Sequence, residues 1–376
     1  MRDLKLNIGQ LLIIGFDGTK MSPRLASLLT KIQPAGVILF ARNITGAAQT
    51  HTLLRECQKC VATPLFTCVD LEGGTVDRFR NVIGSAPSPA EVFATGNRAL
   101  FRKHGRVIGE NCRALGFNVD FAPVLDLAFA ASRSVMSSRA VSDDPKQVVV
   151  YAREFLRGLG DAGVLGCGKH FPGLGEAALD THHELPSVEK SPRKLWDEDL
   201  VPYRLLRREL PMVMVSHAAF PNVTKDRTPA SLSKKWITGI LRKKIGYRGL
   251  VCSDDLEMGG VLTAAPIEQA IEQVMIGHIR AGGDFGLICH HEDFILRADE
   301  ALLREAERDS RFAGRVQESA GRVLAFKSKR ERGRGRPRHT VPTPARVEKL
   351  TRQLWEFEEE IRLATFARAG NKKEHA

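Results

Sequence analysis

A chain of 376 residues with 43% hydrophobic content exceeds the roughly 250 residues that one closed α/β barrel needs, so a large buried core is within reach. The formal net charge of +12 is uneven, with +7 in residues 326–376 and +5 in everything before them, which makes basicity a property of the tail. The odd count of seven cysteines, several inside apolar runs, excludes a disulfide framework, and no run reaches the roughly 18 apolar residues of a membrane span.

The first apolar run, 10–16, has neither an upstream basic region nor a small-residue cleavage site, so it is read as a strand of a cytoplasmic protein rather than a leader. Further β-rich runs follow at 36–40, 65–70, 117–121, 164–168, 212–216, 249–253 and 284–289. Between them, residues 23–32, 47–60, 97–115, 145–159, 233–245 and 267–281 repeat apolar side chains at three- and four-residue spacing, the mark of amphipathic helices. Continuous apolar strands separated by helices imply a parallel sheet covered on both faces, and eight such units favour closure into a (β/α)8 TIM-type barrel. Cys57 and Cys60 form a CxxC, but no second pair follows to complete a zinc site; no metal or cofactor is expected.

Beyond residue 325 the pattern changes. Residues 327–338, KSKRERGRGRPR, hold seven basic side chains and are expected to bury nothing and to act as a flexible linker. From 344 a helix is expected, with an apolar stripe at Val347, Leu350, Leu354, Phe357, Ile361 and Ala364 and a stop at Gly370. Its sequence leaves open whether the stripe meets the barrel or a partner. The division is therefore a barrel at 1–325, a linker at 326–343 and a helix with tail at 344–376. The basic tail is the expected place for any contact with nucleic acid or another anionic polymer, and the chain is expected as a monomer or homodimer.

Polar side chains cluster just after the strand runs: Arg42, Asn43, Asp70, Asp126, Lys169, His170, His217, Asp254 and His290. In a barrel these positions converge on the C-terminal face, where active sites lie. Loops are polar in general, yet the loops before strands, at 31–34 and 243–246, lack this density of Asp and His.

Three segments carry most of the chemistry. Residues 69–78, VDLEGGTVDR, end a strand on Asp70, turn through two glycines and reach Arg78; a carboxylate can accept two sugar hydroxyls while an arginine donates to the same ring. A strand, a turn and a surface ion pair would read the same way. Residues 168–186 place Lys169 and His170 after a strand, then Asp180 and His182 two apart on an irregular loop. An Asp that fixes an imidazole tautomer suits proton transfer to and from oxygen. A metal site or plain loop polarity are the competing readings there. Residues 249–258, GLVCSDDLEM, end an apolar strand in two carboxylates. Neighbours in a strand alternate sides, so only one of them faces the barrel mouth, where a carboxylate is placed to attack an anomeric carbon; capping or structural duty is assigned to Asp255.

Together these segments resemble the family 3 glycoside hydrolases, in particular the single-domain bacterial β-N-acetylglucosaminidase branch. The likeness covers about residues 8–325 and rests on the Asp-x-Glu-Gly-Gly-x-Val-x-Arg, Lys-His-Phe-Pro-Gly-x-Gly-x₄-Asp-Thr-His and Ser-Asp-Asp-Leu-x-Met patterns occurring in order. The resemblance implies Asp254 as nucleophile and a His182–Asp180 dyad as acid/base. It further implies that Asp70, Arg78, Arg139, Lys169 and His170 hold an N-acetylated sugar and that Met258 borders the pocket. Two departures stand out: Leu174 replaces the usual second histidine of Phe-Pro-Gly-His-Gly, and the residues around Arg139 (SSRAVSDDP) match the family's Arg-Ser-Phe-Gly only loosely.

The implied activity is a retaining β-N-acetylhexosaminidase acting on a small glycan with a terminal β-linked N-acetylglucosamine, in the recycling of peptidoglycan fragments. A β-glycoside phosphorylase or β-glucosidase on the same site is the near alternative, since a neutral histidine repels phosphate less than a carboxylate does. A non-catalytic glycan-binding barrel and a metal-dependent amidohydrolase are the distant ones.

Overall fold

The computed structural model describes residues 2–132, 136–176, 185–262, 270–334 and 340–374. Among them run ten strands: β1 (Leu12–Ile14), β2 (Gly36–Ile38), β3 (Phe66–Val69), β4 (Leu71–Gly73), β5 (Val76–Asp77), β6 (Val119–Asp120), β7 (Leu165–Phe171), β8 (Met212–Val215), β9 (Leu250–Asp255) and β10 (Phe285–Ile288). All but β4 and β5 close into a parallel barrel in the order β1-β2-β3-β6-β7-β8-β9-β10, with β10 pairing back onto β1. Each of the eight runs read from the sequence carries one barrel strand, and helices surround the barrel.

The strands read as continuous apolar runs because both of their faces are buried. In β8, Met212 and Met214 point into the barrel interior with Phe66, Cys68, Phe121 and Phe285, while Val213 and Val215 join the outer core beneath the helices. The helices are set by local signals. Asp144 caps the helix Pro145–Ala162 by accepting the Lys146 N–H at 2.8 Å, and Pro145 at the first position loses no hydrogen bond there. The expected helix at 233–245 forms as a π-type helix, Lys235–Lys244.

Two strands run further than expected. β7 continues through Lys169 and His170, and β9 through Asp254 and Asp255, so these polar residues occupy the strand ends themselves rather than the loops after them.

The linker at 327–338 needs correction. Residues 327–334 continue the helix Ser310–Arg334, and residues 335–339 lie outside the described residues. The reason is packing at the N-terminal mouth of the barrel. Phe326 lies 6.2 Å from the Phe66 ring, and Lys327 is 5% exposed, its Nζ donating to Gln10 Oε1 at 2.7 Å and standing 5.0 Å over Phe66. Burial pushes this ammonium down to about 7. A lysine read as solvated tail is thus part of the barrel's closure.

The last helix, Pro344–Glu374, runs past Gly370. It buries Leu350, Leu354, Phe357 and Ile361 against the barrel's helical layer, with Phe357 5.9 Å from the ring of His104. Thr351 Oγ1 donates to Ile83 O at 2.8 Å. The stripe therefore meets the barrel. No helix of the described residues is long and apolar enough to cross a membrane.

Candidate active site

The C-terminal ends of β3, β7 and β9 bring acids and bases to one mouth. After β3 the chain turns back as the hairpin β4–β5. Gly73 and Gly74 make that turn with φ of +90° and +62°, and a Cβ on Gly73 would lie 2.2 Å from Pro87 O. Only glycine fits so close an approach in a left-handed conformation. The hairpin places Asp70 and Glu72, two residues apart, on the same neighbour.

That neighbour is Lys169. Its Nζ lies 2.8 Å from Asp70 Oδ1 and 2.7 Å from Glu72 Oε1. Arg139 grips Glu72 in a two-pronged pair, Nε to Oε2 at 2.7 Å and an Nη to Oε1 at 2.8 Å. Two cations and two carboxylates are thereby matched. Burial opposes the Glu72 charge, but Lys169 and Arg139 outweigh it and hold its carboxyl far below the usual range. Burial likewise opposes the Lys169 charge, and Asp70 and Glu72 outweigh it, so the ammonium is held well above its usual range. Asp70 stays partly exposed, pinned by Lys169 yet reachable from the mouth.

His170 is oriented by Asp126. The carboxylate Oδ2 lies 2.6 Å from His170 Nδ1, and Oδ1 accepts the Leu174 N–H at 2.7 Å. A carboxylate oxygen can only accept, so Nδ1 carries the proton and Nε2 is left facing away from Asp126. His217, wholly buried, is fixed the other way: Nε2 donates to Asp255 O at 2.9 Å, and Nδ1 accepts from Ser231 Oγ at 2.7 Å. Burial lowers its pKa, which suits a neutral ring.

Asp254 lies partly buried at the end of β9. Burial alone would push its carboxyl up; the electrostatic influence of His170 and Lys169 and the N–H of Asp255 at 2.9 Å outweigh it, so the carboxyl sits below its usual range. Asp255 turns elsewhere. Its Oδ1 accepts the Glu257 N–H at 3.1 Å, and its Oδ2 lies 3.4 Å from His290 Nε2. The buried Met258 follows, its N–H donated to Asp255 O. Arg78 lies 5.7 Å over the Phe40 ring, its buried Nε without a hydrogen-bond partner among the described residues. Asp180 and His182 fall in 177–184, outside the described residues.

Asp255, Glu257 and His290 offer ligand atoms close enough together for a metal ion. The Glu257 carboxylate is already committed, however: it accepts the N–H groups of Cys289, His290 and His291 and faces His291 Nδ1 at 2.8 Å. Its chemistry is that of a cap on the turn after β10, not of an open ligand.

Sequence reasoning gave no role to Glu72, although it lies two residues from Asp70, the spacing that shares a face in extended chain. Asp126 and His217 stood among the polar strand-end residues without a role; their partners, His170 and Ser231, lie 44 and 14 residues away.

A parallel eight-stranded barrel whose C-terminal mouth joins an ionised carboxylate to an oriented histidine and a buried lysine defines a hydrolase-type barrel site. Residues 3–325 match the glycosyl hydrolase family 3 N terminal domain, and the chain belongs to that family of glycoside hydrolases. It is 37% identical over 291 residues to a beta-hexosaminidase of Alkalilimnicola ehrlichii, covering 76% of this chain and 82% of the relative. A beta-hexosaminidase of Thiobacillus denitrificans is 38% identical over 276 residues, or 72% of this chain and 74% of that one. Among solved structures, a family 3 beta-N-acetylglucosaminidase from Paenibacillus sp. str. FPU-7 superposes with a TM-score of 0.83 at 33% identity, over 94% of this chain and 68% of that chain.

Proposed function

We propose that this chain is a retaining β-N-acetylhexosaminidase that removes terminal β-linked N-acetylglucosamine. The observation that carries the reading is Asp254. A carboxylate at the end of β9, held below its usual range by the electrostatic influence of His170 and Lys169, is suited to attack an anomeric carbon. In the first step Asp254 bonds to C1 while the glycosidic oxygen departs with a proton from His182, whose tautomer Asp180 sets. In the second, His182 takes a proton from water, which displaces Asp254 and restores it.

Asp70, Arg78, Arg139, Lys169 and His170 hold the sugar, with Met258 at the border. The partly exposed Asp70 carboxylate and the unspent Arg78 Nε suit ring hydroxyls. Arg139 acts mainly through Glu72, which it grips with two hydrogen bonds. The relatives' shared name points to the substrate class, and the source proposed for it is peptidoglycan fragments under recycling.

The test is mass spectrometry of the protein with a 5-fluoro or dinitrophenyl N-acetylglucosaminide. A label on Asp254 is expected, none in Asp254→Ala, and accumulation of the labelled form in His182→Ala with turnover restored by azide. A label on Asp255 would transfer the nucleophile's role. Absence of both trapping and azide rescue in His182→Ala would remove the acid/base assignment.

A further inference from the structure

The helix Pro344–Glu374 has a second face that the barrel does not use. At about 100° per residue, the side opposite Leu350, Leu354, Phe357 and Ile361 carries Glu348, Arg352, Trp355, Glu359, Leu363 and Phe366. Trp355 is 65% exposed, Leu363 59% and Phe366 81%; these are three of the four exposed large hydrophobic side chains among the described residues. Singly such residues are ordinary, but three on one helical face form a patch.

The charges on this face are arranged for one kind of partner. An antiparallel copy, related by a two-fold axis beside Trp355, sets Trp355 against Trp355 of the second copy. Three residues along, Arg352 meets the acidic pair Glu358 and Glu359. Four further, Glu348 meets Arg362, and beyond them Ala345 meets Thr365, next to Phe366. Two-fold symmetry repeats each contact, giving four opposite-charge pairs around an aromatic centre. All these charged residues are exposed, and Arg362 and Glu359 already pair within the helix at 2.7 Å, so their carboxylate and guanidinium groups lie on the accessible side. A parallel copy in register would set Arg352 against Arg352 and Glu359 against Glu359, like against like. An anionic membrane surface would meet the acidic run at 356–360.

We propose that the outward face of the C-terminal helix is a self-association surface, on which a second copy of this chain docks antiparallel about Trp355. One helix pair lies at the small end of specific interfaces, below about 1,200 Å² in total, so the dimer is concentration-dependent rather than permanent. Within one chain the helix packs on the helices Arg98–Leu115 and Pro89–Ala94 of the outer layer.

The experiment is sedimentation of the full chain over a wide concentration range, with acrylamide quenching of tryptophan. The expected result is a mass rising from one chain towards two, with quenching falling in parallel as Trp355 is covered. Trp355→Glu, and independently Phe366→Lys, should weaken association at least about tenfold while circular dichroism and turnover stay as in the parent. Arg352→Glu should weaken it, and the double exchange Arg352→Glu with Glu359→Arg should restore it in part. A mass of one chain at every concentration overturns the proposal, as does a monomer whose Trp355 is shielded from quencher. So does a dimer indifferent to Trp355→Glu and Phe366→Lys, or a double exchange no better than the single one.

Discussion

The carboxylate of Asp126 stands 2.6 Å from Nδ1 of His170, and from this position it also accepts the N–H groups of His170 and Leu174. One buried acid thus sets the tautomer of a strand-end histidine and pins the first residues of the loop that follows it. Asp126 touches no substrate in the proposed reaction; it positions what does.

Replacing Asp126 with Ala leaves two N–H groups and an imidazole without their acceptor. Hydrogen bonds to charged groups contribute about 1.5–3 kcal/mol, so kcat/KM should fall roughly 10- to 100-fold. Asp126→Asn retains one acceptor oxygen and should fall less. Steady-state kinetics of both variants decide it: equal losses would mean that the charge, not the geometry, is what matters.

The matched set of Lys169, Arg139, Asp70 and Glu72 should tolerate no single deletion. Removing one partner of a buried pair leaves an uncompensated charge and costs about 3–5 kcal/mol. Lys169→Met should therefore lower the urea midpoint strongly, and Lys169→Met with Glu72→Gln should recover part of the loss.

The same set fixes a pH window. Glu72 has its pKa depressed on folding, so its stabilisation is full above the ordinary glutamate value near 4.3 and is lost as pH falls towards the folded one. Lys169 has its pKa raised, so its contribution is full below the ordinary lysine value near 10.4 and is lost only as pH rises through the folded one. Urea midpoints from pH 2 to 7 should show an acid-side loss that shrinks in Glu72→Gln. An unchanged slope in that variant would contradict the assignment.

Lys327 should behave in the opposite sense to Lys169. Burial lowers its folded pKa to about 7, so the folded state resists its protonation, and the penalty is complete below that value. Between about 7 and the unfolded value near 10.4, stability should rise with pH by up to ~1.4 kcal/mol per unit from this group. Lys327→Met should be more stable than the parent at pH 6.5 and gain little by pH 9. Denaturant melts at the two pH values check this, and a parallel offset at both would show that burial does not depress the group.

Phe357 anchors the C-terminal helix beside His104. Phe357→Ala should cost about 3–5 kcal/mol, the range for a buried aromatic, while kcat of the folded protein stays near the parent's because the helix lies on the outer layer. Thermal melts with activity at low temperature separate the two effects.

The barrel was legible in the sequence because its two periodicities are local. Eight apolar runs and the three- and four-residue spacing between them follow from which faces must leave water, and each can be read within a dozen residues. The strand-end acids and bases were legible for the same reason: Asp70, Lys169, His170 and Asp254 stand where apolar runs stop. What the tertiary structure alone decided is which of these groups meet. Lys169 and Asp70 are 99 residues apart in sequence, and only closure of the sheet brings β3 and β7 close enough for one ammonium to neutralise Asp70 and Glu72 together. The tail shows the same limit from the other side. A run of basic residues has the composition of a solvated linker, yet Lys327 is buried because Gln10 and Phe66, more than 250 residues away, offer an acceptor and an aromatic face at the barrel's closed end. Composition prices a side chain against water; the fold supplies the partners that change the price.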